Sequence, residues 1–134
     1  MAVTARPPRI DAPAGYPTGV MATIDASRAD VISERMGRLY RELFERTPEK
    51  VATHLPTDDI VLVVLEGSMT PAERRLRQNG QTTLLREHRL AVQQASADRF
   101  CEIVEAATGR RVRAFTSAHD VEADVATETF VLQA

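Results

Sequence analysis

Apolar residues recur every three or four positions between Val31 and Phe44, which predicts an amphipathic helix over residues 28–46. The apolar segments that follow are shorter. A strand is predicted over residues 51–55, and the continuously apolar run "IVLVVLE" predicts another over 60–66. A run with no polar alternation is typical of a central strand that is covered on both faces. The short polar turn between the two strands predicts a hairpin.

The segment "TPAE" at residues 70–73 has the sequence of a capping box. Thr70 is placed to accept from the backbone N–H of Glu73, and the Glu73 side chain can reach back to the N–H of Thr70. Pro71 stands at the first helical position, where its missing N–H costs nothing. The pair Asn79 and Gly80 breaks the helical pattern. A short helix over 71–78 follows.

A longer helical pattern spans residues 81–108 and ends before Gly109, which suits the left-handed position after a helix. Two more strands are predicted over 110–117 and 125–132, joined by an acidic loop. The order α-ββ-αα-ββ predicts a two-layer α+β fold. Its mostly antiparallel four-stranded sheet would be packed by helices, including one long helix.

Residues 1–26 hold four of the seven prolines and show no periodicity. They are predicted to form a disordered or loosely attached tail, with 27–134 as a single domain. In an alternative interpretation, the tail packs on the domain through Ile10, Tyr16 and Met21.

The composition excludes several classes of function. The chain has 17 basic and 19 acidic residues, a net charge of −2, so we expect no nucleic-acid partner. Aromatic residues make up only 4%, which predicts a core built mainly from aliphatic side chains. No apolar run approaches the roughly 20 residues of a membrane span, and no secretory signal is apparent. We therefore expect a cytoplasmic protein without direct membrane insertion.

The residues that most often bind metals are few and scattered: His54, His88, His119 and Cys101. None of them has metal-ligand spacing, so a site would need His54 and His119 to meet in the fold. We expect no metal and no cofactor. Cys101 lies beside Phe100 within a predicted helix, where a thiol usually behaves as a small apolar side chain.

Arg89 falls within the apolar stripe of the predicted long helix. An arginine in that position must find an anionic or carbonyl partner. One interpretation is an internal ion pair with Glu66, Glu73 or Glu34. In the other, Arg89 contacts another protein or grips a small anion, with Arg86 and His88 beside it. The candidate ligand or interface residues are therefore Arg86, His88, Arg89 and Glu66.

The acidic loop "HDVEAD" at 119–124, together with Glu128, has the appearance of paired carboxylates. Acid–base chemistry needs such groups to converge in a dry cleft, whereas a tight loop between strands usually leaves them in water. No catalytic constellation is visible, and we expect that the protein is not an enzyme.

The run of motifs "LEGSMTPAERRL", "LLREHRLAVQQ", "TGRRVRAFTS" and "ETFVLQ" resembles the DUF2294, or MpsC-like, family over about residues 30–133. The family takes its name from the third protein of a cation-translocating, membrane-potential-generating system. The resemblance implies a small cytoplasmic protein associated with cation-linked or inorganic-carbon uptake, and it supplies no catalytic residues. The chain departs from the family at "FERTP" (44–48), where members resemble "FGKGP" or "FGRGP". Without those glycines a left-handed helix end is harder to form.

The leading hypothesis is a non-enzymatic accessory or regulatory protein that acts through protein–protein contacts, as a homodimer and with a membrane transport complex as a candidate partner. The alternative is a small-anion-sensing or enzymatic domain that uses Arg86, His88 and Arg89.

Overall fold

In a computed structural model, which describes residues 2–4 and 26–134, helices pack against one face of an antiparallel sheet. The elements in chain order are β1 (Ala2–Thr4), α1 (Ala26–Phe44), β2 (Lys50–Thr57), β3 (Ile60–Glu66), α2 (Pro71–Gln78), α3 (Thr82–Ala95), α4 (Ala97–Thr108), β4 (Val112–Asp120) and β5 (Val125–Leu132). The predicted α+β class and the order α-ββ-αα-ββ are confirmed.

The strands lie in the order β1-β4-β5-β3-β2, and every neighbouring pair is antiparallel. Each of the two predicted hairpins, β2–β3 and β4–β5, forms as expected. They join through β3 and β5, so that Val63 lies opposite Glu128. The short strand β1 pairs with β4 at the sheet edge. The remainder of the predicted tail, residues 5–25, lies outside the described residues.

The central strand β3 is covered by helices on one face only. Val61, Val63 and Leu65 are completely buried beneath the helices. Ile60, Leu62 and Val64 alternate with them and are only partly buried, and none belongs to the core that the helices form. The sequence predicted a strand covered on both faces or nearly so; among the described residues one face is fully covered and the other only partly. An unbroken apolar run does not reveal which of its two faces a helix will cover.

Most of the few aromatic residues of the chain lie in the core and form a continuous row. The sequence had predicted a core built mainly from aliphatic side chains. All four phenylalanines are buried, together with one of the two tyrosines. The ring centroids of Phe115 and Phe130 lie 5.0 Å apart, those of Phe100 and Phe115 5.6 Å, and those of Tyr40 and Phe100 5.9 Å. The row links α1, α4, β4 and β5 through the centre of the molecule, so a small aromatic content is concentrated where it buries most area.

The predicted long helix is divided at Ser96, and a single helix over 81–108 is therefore wrong. Ser96 has φ −106° and ψ 8°, outside the helical region. Its N–H still donates to the carbonyls of Val92 and Gln93, and its own carbonyl accepts from Phe100. Because the hydrogen bonding passes through the break, the apolar periodicity on its two sides gives no sign of it. The end of α4 is as expected: Gly109 is left-handed, with φ 69°.

Candidate functional site

The capping box at the start of α2 forms as its sequence predicts. The N–H of Glu73 donates to Thr70 Oγ1 over 3.1 Å, and the N–H of Thr70 donates to Glu73 Oε1 over 3.0 Å. Pro71 is the first residue of the helix. The cap fixes the Glu73 carboxylate at the corner between β3 and α2, and this position brings it to a buried partner.

That partner is Arg89, whose side chain is only 1% exposed. Its Nε donates to Glu73 Oε2 over 2.6 Å and one terminal nitrogen donates to Oε1 over 2.8 Å, so the pair is bidentate. Ser68 accepts two further bonds, at Oγ and at its carbonyl. The guanidinium carbon also lies 3.9 Å from the centre of the Phe44 ring. Of the three acids considered for an internal pair, the structure therefore selects Glu73.

Arg89 also determines the ionisation of its partner. Burial alone would raise the pKa of Glu73, but the hydrogen bonds from Arg89 and from the Thr70 N–H outweigh burial and lower it. Both charges are thus kept in the interior, each compensated by the other. We call the group Ser68, Glu73 and Arg89 the ion-pair cluster.

A second buried polar group surrounds Glu128, a residue that the sequence led us to place in water. That expectation is wrong, because Glu128 is completely buried. The Tyr40 hydroxyl donates to Glu128 Oε1 over 2.7 Å, and Gln93 Nε2 donates to the same oxygen over 3.2 Å. Ser117 is the cross-strand neighbour of Glu128. We call Tyr40, Gln93, Ser117 and Glu128 the carboxyl cluster.

The carboxyl cluster differs from the ion-pair cluster in its electrostatics. No cation of the described residues bonds to Glu128, and burial raises its pKa to about 7, against the opposing effects of its hydrogen bonds and the charge of Arg89. The Tyr40 pKa is also raised, by burial and then by the nearby Glu128. The second carboxyl oxygen, Oε2, and Ser117 Oγ are both buried and have no hydrogen-bond partner among the described residues.

The acidic loop has a mixed environment. Asp120 and Glu122 are exposed, as predicted, and Asp120 accepts from the N–H groups of Glu122 and Ala123. Asp124 instead turns inward, where it bonds to His119 Nε2 over 3.0 Å and accepts from the Met69 N–H. Burial lowers the pKa of His119 despite Asp124, so the imidazole is neutral at pH 7.

The structure separates the four predicted ligand or interface residues. Arg86 and His88 are exposed, and Arg89 is committed to Glu73. Glu66 ends β3 on the other face of the sheet and lies 3.8 Å from Lys50. Arg86 and Arg89 do line one cavity of about 370 Å³ between α3 and β4, but His88 and Glu66 do not. The remaining lining residues are Glu87, Leu90, Gln93, Ala118 and His119.

The potential metal ligands do not converge. His54 is exposed and aligns with Leu62 on the open face of β2, whereas His119 faces the helices from β4. Cys101 is buried in α4. Within residues 26–134, no group of three or more histidine, cysteine, aspartate or glutamate side chains is arranged to hold a metal ion.

The corner after α1 forms without the glycines that the family resemblance led us to expect there. Glu45 takes the left-handed conformation itself, with φ 56°. A side chain in that conformation costs on the order of 1 kcal/mol relative to glycine. Arg46 then donates to the carbonyl of Gly67 over 3.0 Å, which ties the corner to the end of β3. A left-handed turn therefore forms here without glycine, at some cost in backbone strain.

A model of the family described as "Na+-translocating membrane potential-generating system (MpsC)" matches residues 25–134, which is most of the chain. The chain belongs to the MpsC family. The resemblance drawn from its sequence motifs is thereby confirmed, and membership links this MpsC protein to ion transport at a membrane. Comparisons with curated proteins and with solved structures give no match. Among the described residues of this MpsC protein, none of the helices is both long enough and apolar enough to cross a bilayer.

The carboxyl cluster is what sequence reasoning missed. Its four members come from α1, α3, β4 and β5, and they are separated by up to 88 positions, as between Tyr40 and Glu128. One signal was available in the sequence of β5. Glu128 is two residues from Ala126 and from Phe130, so it lies on the same face of the strand as Ala126, Phe130 and Leu132, all of which are buried. That register would have placed the acid in the core.

Proposed function

We propose that this protein is a non-enzymatic regulatory component of a membrane cation-transport system, and that it acts as a homodimer through protein–protein contacts. Family membership supports the link to cation transport. The observation that carries the proposal of protein contact is the open face of the sheet, which the described helices leave uncovered.

The open face is continuous and mostly apolar. Strand pairing aligns Leu62 with Thr129 and Thr116, and aligns Ile60 with Val131 and Ala114. The open-face residues of the three central strands are partly exposed, apart from the strand-end residue Asp120, which is fully exposed. The partly exposed residues are Ile60, Leu62, Val64, Glu66, Ala114, Thr116, Ala118, Val125, Thr127, Thr129 and Val131. An aliphatic sheet face of this kind is typical of an interaction surface.

A second copy of the chain is the occupant that we propose for this face. Two copies of the chain present the same face, which has few charges near its centre. The two faces can therefore pack sheet on sheet without burying unpaired ions. The charged residues Lys50, Glu66 and Asp120 lie at strand ends, where they remain in solvent at the rim.

Sedimentation velocity of the full chain at micromolar concentration tests the dimer. We expect the natural protein to sediment as a dimer and Leu62→Glu, at the centre of the open face, to be monomeric. Leu84→Glu is the matched control, because Leu84 lies on α3 and is 52% exposed; it should remain dimeric. A natural protein that is monomeric throughout would refute the dimer.

Capture from membrane extracts tests the regulatory role. The natural chain and the Leu84→Glu control serve as baits, and the retained proteins are identified by mass spectrometry. We expect a cation transporter to be enriched on both baits. Retention of no membrane transport protein on either bait would contradict the proposed association.

A second candidate function, small-anion sensing, is favoured by the cavity between α3 and β4. Arg86 lines this cavity, and its guanidinium has no hydrogen bond to another described residue. A bound anion would raise the melting temperature in proportion to its affinity. Titration with bicarbonate or acetate should show that rise in the natural protein and in Arg113→Ala, an exposed arginine of β4, but not in Arg86→Ala. Equal responses in all three would eliminate the site.

A further inference from the structure

Two buried oxygens of the carboxyl cluster have no hydrogen-bond partner, although they belong to directly paired residues. Glu128 Oε2 and Ser117 Oγ are both inaccessible to solvent. Their residues face each other across β5 and β4. A carboxylate oxygen can only accept, and a buried acceptor without a donor costs free energy. In this arrangement Oε2 has no donor among the described residues, but the adjacent Ser117 hydroxyl carries a proton that can be turned towards it.

One added proton removes a charge that a neutral donor cannot compensate. The Ser117 hydroxyl can donate to an ionised Oε2, but a full negative charge then stays in the interior, whereas protonated Glu128 is neutral and its O–H can donate to Ser117 Oγ. The other oxygen, Oε1, already accepts from Tyr40 and Gln93, and both bonds persist in the neutral acid. Protonation thus removes the buried charge and leaves the existing bonds in place.

Within residues 26–134, the charged groups around Glu128 do not offer it a free cation. From α3, Arg89 acts at a distance, since its guanidinium is bonded to Glu73 and Ser68. From β4, His119 is paired with Asp124 and is neutral at pH 7. From α1 the facing group is the Tyr40 phenol, and from β3 it is the apolar Val63.

We propose that Glu128 is a proton-operated switch: the neutral acid fastens α1 and α3 to the sheet, and loss of its proton loosens α3. Gln93 connects the switch to the surface, because it donates to Glu128 and also lines the cavity beside α3. An ionised Glu128 gains most from water, which can reach it when Gln93 and its helix turn move outward. The switch does not depend on the proposed function.

The titration of Glu128 can be measured directly in the full chain. Carbon-13 NMR of glutamate side-chain carboxyls follows each ionisation separately, and Glu128→Gln assigns the resonance by its disappearance. We expect the Glu128 midpoint near pH 7, since burial raises its pKa to about that value. A midpoint below about pH 5.5, close to an ordinary carboxyl, would overturn the proposal.

Hydrogen exchange tests whether loss of the Glu128 proton loosens α3. Between pH 5 and pH 8, after correction for the intrinsic rate, we expect α3 amides of the natural protein to lose protection by about tenfold or more, relative to those of α4. In Glu128→Gln the side chain is neutral at every pH, so the loss should vanish. Equal pH responses in α3 and α4 would sink the idea. If the variant does not fold, the comparison of α3 with α4 in the natural protein still decides.

Discussion

The ion-pair cluster and the carboxyl cluster lie in the same interior and treat a buried acid in opposite ways. Glu73 receives two bonds from Arg89 and one from the N–H of the cap residue Thr70, and its pKa is lowered. Glu128 receives bonds from neutral donors only, and burial raises its pKa to about 7. The comparison teaches that a bonded cation keeps a nearly buried carboxyl charged, whereas complete burial among neutral donors favours the neutral acid.

The two clusters therefore have opposite pH dependences. A lowered pKa stabilises the folded state above the ordinary carboxyl pKa, and that stabilisation is lost as the pH falls. A raised pKa stabilises the folded state at low pH, and that stabilisation is lost as the pH rises towards about 7. Glu73 thus stabilises the fold at neutral pH, whereas Glu128 stabilises it in mild acid.

Removal of Arg89 should have the largest effect on stability, because it takes away the cation that distinguishes the ion-pair cluster from the carboxyl cluster. Arg89→Ala leaves the Glu73 carboxylate buried without its cation, and we expect a loss of about 3–5 kcal/mol in the free energy of unfolding. Thermal and urea denaturation at pH 7 would measure it. The double variant Arg89→Met with Glu73→Gln should recover part of the loss, because it removes both charges. An unchanged melting temperature in Arg89→Ala would show that the ion pair contributes nothing.

Neutralisation of Glu128 should have the next largest effect, on the pH dependence of the free energy of unfolding. Because the folded pKa is about 7 against an ordinary 4.5, ionisation costs the natural protein about 3 kcal/mol of unfolding free energy as the pH rises through that interval. In Glu128→Gln this decrease should be absent. Urea denaturation at pH 5 and pH 8 gives the difference for each protein. Parallel pH profiles would mean that Glu128 ionises as readily in the fold as in the unfolded chain.

Tyr40→Phe should have a smaller effect on the stability of the carboxyl cluster than Glu128→Gln. The hydroxyl donates to Glu128 Oε1, and a donor favours the ionised form. Its removal should raise the Glu128 midpoint further and cost about 1 kcal/mol in unfolding free energy at pH 5. Carboxyl NMR and urea denaturation measure the two effects. A midpoint that moves down would indicate that Tyr40 favours the neutral acid.

Thr70→Ala should have the smallest effect and should stay within the ion-pair cluster. Loss of the cap hydrogen bond to the Glu73 N–H should cost about 1 kcal/mol. The Glu128 midpoint should not change, since Thr70 contacts no member of the carboxyl cluster. Urea denaturation measures the first expectation and carboxyl NMR the second. A shifted Glu128 midpoint would show that the two clusters are coupled rather than independent.

Much of the fold could be predicted because it depends on local patterns. The bounds of β3, α2 and β5 agree with their predicted ranges, and the capping box forms in detail. The break at Ser96 could not be predicted, because it changes one residue's dihedral angles without disturbing the apolar periodicity. The left-handed Glu45 is the opposite case, where the fold imposes a conformation that the residue itself disfavours.

The candidate site was predicted only in part. Arg89 was identified because a charge on an apolar helix stripe must have a partner, and Glu73 was among the acids considered. Arg86 lines one cavity together with Arg89, but His88 and Glu66 face elsewhere. Glu128 was missed because its neighbours in sequence suggested a solvated loop, while its strand register places it inward.

By itself the sequence determined the α+β order, the capped corner, the need of Arg89 for a buried partner, and the membership of the MpsC family. These depend on residues within a few positions of one another, or on the identity of whole motifs. Only the tertiary structure decided which sheet face stays open and that Tyr40 and Gln93 meet at one oxygen of Glu128. The physical reason is that side-chain ionisation and packing depend on distances between elements, and those distances exist only after the layers have assembled.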